Sequence, residues 1–339
     1  MATSIATPIR FGTDVSGATD ALWLPTYAGE VILAFEEKNI FADKVETRTI
    51  SGFNTTGANF PRLWKIGSQI HEVGHEMLGL DVESSEITIT ADERPLVVPY
   101  EFDDVDRLFS HYDAMAPVAK EAGAELARQY DRRVAAMLIN ASRDTGHGSF
   151  PGGGIDGGGT AIVDNHLATA DQDGALAVLN SLTDLTVYWD ENDVPEEERW
   201  CAIAPALWQQ VKLLGWPVAA ADIAAGQVPY MSHGDWQMAN PKLDTAGFGQ
   251  VIKWNGWNIV KSNHLPTTNV ASGPARYQGN FTNTKGICWQ KKAIGVVNVM
   301  TPMVETDRDV RRGVDFFVTK MLMGGGTVYP ILACELASA

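Results

Sequence analysis

The fold of this chain is decided by residues 116–142, APVAKEAGAELARQYDRRVAAMLINAS. Apolar residues recur there every three or four positions and most charged residues fall outside that stripe, which is typical of an amphipathic helix. Pro117 suits the first turn because its missing N–H has no helical partner there, and Asp113 can cap the free amides. We predict one helix over 116–142, about 40 Å long at about 1.5 Å per residue.

A helix of this length is too long for one compact core to surround, so a sheet should lie along it. Strand patterns occur early, at Val45–Ile50, and late, around Ile294–Val299 and Val314–Val318. We expect the late strands to pair with the early ones, which makes the first lobe discontinuous. The glycine triplet 324–326 is predicted to turn the chain into a closing strand over 327–336.

Two further strand patterns flank a glycine-punctuated middle. Residues 60–66 and 86–90 alternate apolar with polar side chains, which predicts a long hairpin. Two strands alone are marginally stable in water, and this segment has too few apolar residues for its own core. We therefore expect the hairpin to lie against another copy of the chain. A surface loop folded back on its own domain is the alternative.

A separate α/β lobe is predicted to begin near Asp171 and to be inserted into the first. Leucines at helical spacing mark a helix over 176–185, residues 200–204 form a strand, and Pro205 opens a helix that runs to Leu214. The Asn255-Gly256 pair between two apolar runs predicts a tight hairpin. Residues 217–249 are predicted to be loops, and from Lys285 the chain is expected to return to the first lobe.

Bulk composition restricts the function classes. The chain has 339 residues, 45% of them hydrophobic, and a formal net charge of −16, which predicts a soluble globular protein of about two domains. The amino-terminal residues lack a signal-peptide pattern and no apolar run is long enough for a membrane span, so we expect neither secretion nor membrane insertion. The negative charge argues against gripping a phosphate backbone. Cys201, Cys288 and Cys334 lack metal or disulfide spacing and are interpreted as buried, reduced thiols.

One motif suggests a metalloenzyme. His71, Glu72 and His75 match HExxH, in which two imidazoles one helical turn apart bind zinc and the glutamate acts as the base. Gly74 weakens a helix there, and the middle of a protruding hairpin offers no dry, rigid pocket. A zinc metallohydrolase that uses residues 71–75 is therefore the alternative function, and solvated or interface histidines are the simpler interpretation.

The order of these parts resembles the major capsid protein of T7-like short-tailed tailed bacteriophages, a family with the HK97-type capsid fold. The resemblance runs from about Gly29 to the end of the chain and depends on collinearity. The residues that carry it are Gly29-Glu30-Val31, Ala34-Phe35, Arg48, Ile50-Ser51, Phe60-Pro61, His111-Tyr112-Asp113, Val194-Pro195, Arg199, Pro205, Gly256, Val260, His264-Leu265, Arg311-Arg312, Met323-Gly324 and Gly326.

The resemblance implies an α+β, HK97-like capsid fold with the following parts. Residues 1–50 would be the N-terminal arm (N-arm) and first P-domain strand, 51–92 the extended E-loop hairpin, and 93–170 the P-domain with the spine helix 116–142. Residues 171–284 would be the inserted, axial A-domain, and residues 285–339 the returning P-domain strands.

The resemblance also implies a structural role and a set of partners. The chain would self-assemble into hexamers and pentamers of an icosahedral phage head, with a scaffolding protein during assembly and a portal at one vertex. Packaged double-stranded DNA would fill the lumen without sequence-specific binding, and no membrane would be involved. The family has no metal site in the E-loop, so no catalytic, cofactor or metal residue is expected. The protein would belong to the virion and be assembled in the host cytoplasm.

Overall fold

The computed structural model describes residues 39–50, 57–63, 84–103, 115–145, 158–214 and 251–339. Between residues 63 and 84 it also describes the single positions 68, 70, 71, 73, 74 and 76. The predicted N-arm before residue 39, the glycine-rich stretch within 146–157 and the predicted loops 217–249 lie outside this part. In chain order the elements are β1 (Glu46–Thr49), β2 (Gly57–Leu63), β3 (Ser84–Thr90), β4 (Leu96–Asp103), α1 (Met115–Ser142), β5 (Thr160–Val163), α2 (Gln172–Glu191), β6 (Arg199–Ile203), α3 (Pro205–Leu214), β7 (Val251–Trp254), β8 (Trp257–Lys261), β9 (Asn269–Val270), β10 (Gly279–Asn280), β11 (Thr284–Gln290), β12 (Ile294–Asp309), β13 (Val314–Thr327) and β14 (Ala333–Ala337).

The long helix predicted over 116–142 is confirmed as α1, Met115–Ser142. Its apolar stripe is buried, with Leu126, Val134 and Leu138 fully covered, while Lys120 and Arg132 face solvent. The helix packs against β4, β13 and β14. Among the described residues, no helix combines the length and apolarity that crossing a membrane requires.

A four-stranded sheet in the order β1-β12-β13-β4 lies along the helix. Residues 46–49 of β1 run parallel to 295–298 of β12, and residues 96–103 of β4 run antiparallel to 314–321 of β13. The prediction that late strands pair with early ones is therefore confirmed. Phe102, Phe317 and Ala119 fill the space between this sheet and α1.

A second sheet has six strands in the order β5-β14-β11-β6-β8-β7. Of the strands from about Lys285 onward, β12 and β13 join the first sheet as expected, whereas β11 and β14 belong to the second sheet, where β11 pairs with β6 and β14. Both faces of β11 and β14 are buried, as central strands of a covered sheet require. An apolar run identifies such a strand but does not say which strands flank it. The division of the chain into the domains given above stays a prediction.

The glycine triplet 324–326 does not turn the chain. It lies inside β13, and a Cβ at Gly324 would overlap the carbonyl of Thr90, while one at Gly325 would overlap Met137. The glycines therefore allow a strand to pass close to the base of the β2–β3 hairpin and to α1. The predicted closing strand is correspondingly shorter, since β13 runs to Thr327 and β14 begins at Ala333.

The local predictions for the inserted lobe hold. Asp171 caps α2 by accepting a hydrogen bond from the Gly174 N–H at 2.8 Å, and α3 begins at Pro205. The turn between β7 and β8 has Asn255 at φ 45° and Gly256 at φ 80°, the left-handed values that a tight two-residue hairpin needs.

Candidate assembly surface

The β2–β3 hairpin is antiparallel, with Gly57 opposite Thr90 and Leu63 opposite Ser84. Its base packs on its own chain, because Phe60 and Ile89 are buried with Val297 and Val328. The predicted hairpin is confirmed, although the part nearest the body folds onto its own domain, as the alternative interpretation held. Trp64 and Ile66, which were predicted to extend the first arm, lie outside the described residues.

A buried carboxylate fixes the base of this hairpin. The Asp92 side chain is 2% exposed and its Oδ2 lies 2.9 Å from Arg133 Nη1 on α1. Tyr277 donates its hydroxyl to the same oxygen at 2.8 Å, and Arg276 Nε lies 3.5 Å from Oδ1. Burial raises the pKa of Tyr277, so the phenol stays protonated as a donor. The hairpin is thus tied to the helix and to the segment before β10.

Arg276 reinforces the same junction through main-chain acceptors. It donates to the Thr90 carbonyl at 2.7 Å and to the Gly325 carbonyl at 3.1 Å. The glycines of β13 bring these two carbonyls close enough for one guanidinium to reach both. Arg276 therefore fixes the base of the hairpin to β13.

Beyond the base, two apolar side chains of the hairpin segment face solvent completely. Ile70 and Val73 are each 99% exposed. Single exposed apolar residues are common on protein surfaces, and two at full exposure three positions apart make this segment a candidate contact surface. They are the residues by which the hairpin segment can bury apolar area against another molecule.

The four-stranded sheet also carries exposed apolar residues on the face turned away from α1. Side chains alternate along a strand, so Val97 and Met303 point opposite to the buried Phe102 side. They are 50% and 40% exposed, and Lys320 lies between them in register. Lys320 pairs with Glu305, so this row has an apolar residue on each side of one ion pair.

The turn between β12 and β13 forms a charged tip. Arg312 binds Glu101 through both terminal nitrogens at 2.9 Å, and Arg308 lies 2.7 Å from Asp315. Val310, in the middle of the turn, is 83% exposed. Arg308 and Arg312 are thus held by carboxylates of neighbouring strands.

The HExxH motif does not have the geometry of a helical zinc site in the residues that can be described. His71 is exposed, and Gly74 lies in a turn at φ 98°, which interrupts any continuous helix between residues 71 and 75. Glu72 and His75 lie outside the described residues. No group of three or more metal-ligating side chains occurs within the described part of the chain.

The three cysteines are buried free thiols that occupy neighbouring strands. Cys288 lies opposite Cys201 on β6 and opposite Cys334 on β14. Burial raises the pKa of Cys288 and of Cys334, which disfavours the reactive thiolate. They act as small apolar core residues, as the sequence predicted.

Solved phage capsids share the fold of this chain. The capsid of cyanophage P-SCSP1u has a TM-score of 0.65 and 27% identity, covering 89% of this chain and 88% of that one. The mature capsid of bacteriophage PhiM1 also has a TM-score of 0.65, at 16% identity, covering 89% and 87%. The fold is therefore the HK97-like fold of a phage capsid protein.

The sequence defines the family within this class. Residues 59–337 match the Gp10A-like major capsid protein family. The major capsid protein of Escherichia phage T7 is 24% identical over 331 residues, which cover 94% of this chain and 92% of that protein. The chain belongs to the Gp10A-like family of major capsid proteins, so it is a structural component of a virion. This family gives no support to the zinc-hydrolase alternative.

Proposed function

We propose that copies of this chain form the hexamers and pentamers of an icosahedral head that encloses double-stranded DNA. The observation that carries the proposal is that one hairpin has both a base anchored by the Asp92–Arg133 ion pair and two fully exposed apolar residues, Ile70 and Val73. A fixed base lowers the ordering cost of presenting those side chains to a neighbour.

The matching surface is the apolar row on the outer face of the four-stranded sheet. Val97 and Met303 together with the aliphatic stem of Lys320 offer a strip that two branched aliphatic side chains can cover. Because the hairpin and the sheet face are different surfaces of one chain, their contact is heterologous. Heterologous contacts form rings where the rotation between neighbours closes, as capsomers require.

Each contact of this kind is modest, and the shell depends on their number. Every subunit both gives and receives a hairpin, so the contacts sum around a capsomer and between capsomers. We infer that the resulting particle is hard to dissolve although its subunits associate reversibly.

The test replaces the apolar side chains of the hairpin segment. We expect Ile70→Asp combined with Val73→Asp to abolish shells in negative-stain microscopy, because each carboxylate would have to be desolvated at the contact. Circular dichroism should show an unchanged fold, since both positions are exposed. The matched control is Val163→Asp on β5, which is 60% exposed. Normal shells from the double variant would contradict the proposed contact.

The net charge supports a lumen that does not bind DNA. A chain of formal charge −16 repels phosphate, so packaged DNA can slide past the inner surface.

The same charge would attract a scaffolding protein that docks through basic segments, and a portal would occupy one vertex. Assembly would take place in the host cytoplasm. With purified components, we expect co-assembly with such a scaffold to weaken as the salt concentration is raised. Salt-independent co-assembly would contradict this electrostatic docking.

The role proposed here needs no catalytic residue, cofactor or metal. The carboxylates between residues 184 and 198, the largest acidic run among the described residues, are explained by solvation and by pairs such as Asp190 with Arg199 at 2.8 Å. We therefore interpret the chain as a purely structural subunit.

A further inference from the structure

One carboxylate lies on the buried side of α1. Asp131 is fully covered, in a helical row whose other members are Ala127, Ala135 and Ile139, each also fully covered. An ionised side chain in such surroundings is costly unless several hydrogen bonds satisfy its oxygens. Packing alone does not explain a carboxylate at this buried position.

The carboxylate joins three separate parts of the chain. Its Oδ2 accepts the Ile40 N–H at 3.0 Å and its Oδ1 accepts the Phe41 N–H at 3.2 Å. His264, in the segment that follows β8, places Nδ1 2.7 Å from Oδ2. Asp131 therefore links the first described residues, the long helix and the inserted lobe.

Ile40 and Phe41, whose N–H groups Asp131 accepts, lie at the start of the described chain, just before β1. Phe41 is fully buried and its ring lies 5.2 Å from that of Trp289. Asn39 accepts the N–H groups of Phe41 and Ala42, at 3.1 and 2.7 Å. Within the described residues, the Ile40 N–H has Asp131 as its acceptor, so this amide reports directly on the state of the carboxylate.

The charged and titratable groups around Asp131 come from each neighbouring element. Asp43 and Lys44 lie on the turn after Phe41, Tyr130 lies on α1, and His264 belongs to the lobe. Burial raises the pKa of Asp131, and the hydrogen bonds from His264 and the two amides oppose that rise. Burial also lowers the pKa of Lys44 and raises that of Tyr130.

We propose that Asp131 and His264 form a proton-linked latch that holds Ile40 and Phe41 against the long helix and the inserted lobe. An ionised carboxylate accepts all three hydrogen bonds at once. A protonated one uses an oxygen as a donor and is a weaker acceptor, so the Ile40 N–H loses its partner and the Phe41 N–H keeps only Asn39. The latch is a property of the single chain and does not depend on the shell geometry proposed above.

The direction of the pH effect on the latch follows from its hydrogen bonds, because the ionised carboxylate is the better acceptor for the amides at 40 and 41. Burial acts on the stability of the whole chain in the opposite direction, because it raises the pKa of Asp131. On acidification this group takes up its proton at a higher pH than an exposed carboxylate does. The folded chain binds the proton more tightly than the unfolded chain, so this contribution to stability is present at low pH and is lost as pH rises through the pKa of Asp131. Acidification should thus weaken the hydrogen bonds that hold residues 40–41, while the buried protonated carboxyl does not destabilise the rest of the folded chain.

Hydrogen–deuterium exchange of the full-length protein between about pH 4 and pH 8, corrected for intrinsic exchange rates, tests the latch. The wild-type peptide covering residues 39–42 should lose about tenfold in protection on acidification, the loss of one charge-assisted hydrogen bond. Asp131→Asn should show the reduced protection already at neutral pH, with no further pH dependence. His264→Gln should move the transition to higher pH, because the hydrogen bond that lowers the pKa of Asp131 is weakened.

The control is Asp171→Asn, which removes an exposed capping carboxylate of α2 and should leave residues 39–42 unchanged. If Asp131→Asn fails to fold, the wild-type profile and the His264→Gln shift decide the question. A pH-independent protection of residues 39–42 in the wild type, or an unmoved transition in His264→Gln, would overturn the latch.

Discussion

The Arg133 guanidinium lies 2.9 Å from the carboxylate of Asp92, which is 2% exposed, and this ion pair attaches the β2–β3 hairpin to the long helix. The two residues are 41 positions apart in sequence. Because the helix also carries Asp131, one short stretch of α1 anchors both the hairpin and the start of the described chain.

We expect Arg133→Gln to lower the free energy of unfolding by about 2 to 3 kcal/mol. Breaking a buried pair leaves an uncompensated charge, which costs about 3 to 5 kcal/mol when no other partner is present. The effect should be smaller here because Arg276 and Tyr277 still face Asp92. Denaturant unfolding of the unassembled protein measures the change.

The matched control is Arg128→Gln on the same helix. Arg128 pairs with Glu121 and Glu125, but it is 37% exposed, so its removal should cost less than about 1 kcal/mol. Equal losses for the two variants would mean that the Asp92 pair does not contribute as a buried interaction.

The glycines of β13 give a second prediction, which compares two positions on the same strand. A Cβ at Gly324 would overlap main-chain atoms of Thr90 and Ala91, which cannot move without displacing the hairpin. Gly324→Ala should therefore cost about 1 to 3 kcal/mol, as overpacking does. Thermal unfolding of the two single variants, Gly324→Ala and Gly326→Ala, provides the measurement.

Gly326→Ala is the control because its Cβ would meet Ile89 at 3.4 to 3.9 Å, an ordinary contact distance. We expect its melting temperature to stay within about 2 °C of the wild type, and that of Gly324→Ala to fall by several degrees. Similar values for both would show that β13 does not press on the hairpin base.

The elements predicted correctly are those with local signals. The stripe over 116–142 specifies a helix regardless of context, and Asn255-Gly256 specifies the β7–β8 turn through its positive φ angles. By contrast, the glycines at 324–326 carry a turn signal, but close packing keeps them in a strand. Local conformational freedom and tertiary contact both favour glycine, so the sequence alone does not separate them.

The anchoring residues were not predicted because their partners are distant. Asp92 meets Arg133 and Asp131 meets His264, separations of 41 and 133 residues. Asp131 had one available signal, a single acid in a row of Ala127, Ala135 and Ile139. The placement of β11 had none, because strands buried on both faces look alike whichever sheet they join.

The buried cysteines give a third prediction, on chemical reactivity. Burial raises the pKa of Cys288 and of Cys334, which disfavours their thiolates, and all three thiols are fully covered, so a reagent cannot reach any of them in the folded chain. Incubation with iodoacetamide at neutral pH should leave the native mass unchanged. The same treatment in denaturant should add three carbamidomethyl groups, which serves as the control that every thiol is free. Native labelling at Cys288, the central residue of the row, would require β11 to separate from β6 or β14, and would contradict the rigid six-stranded sheet on which the inserted lobe is built.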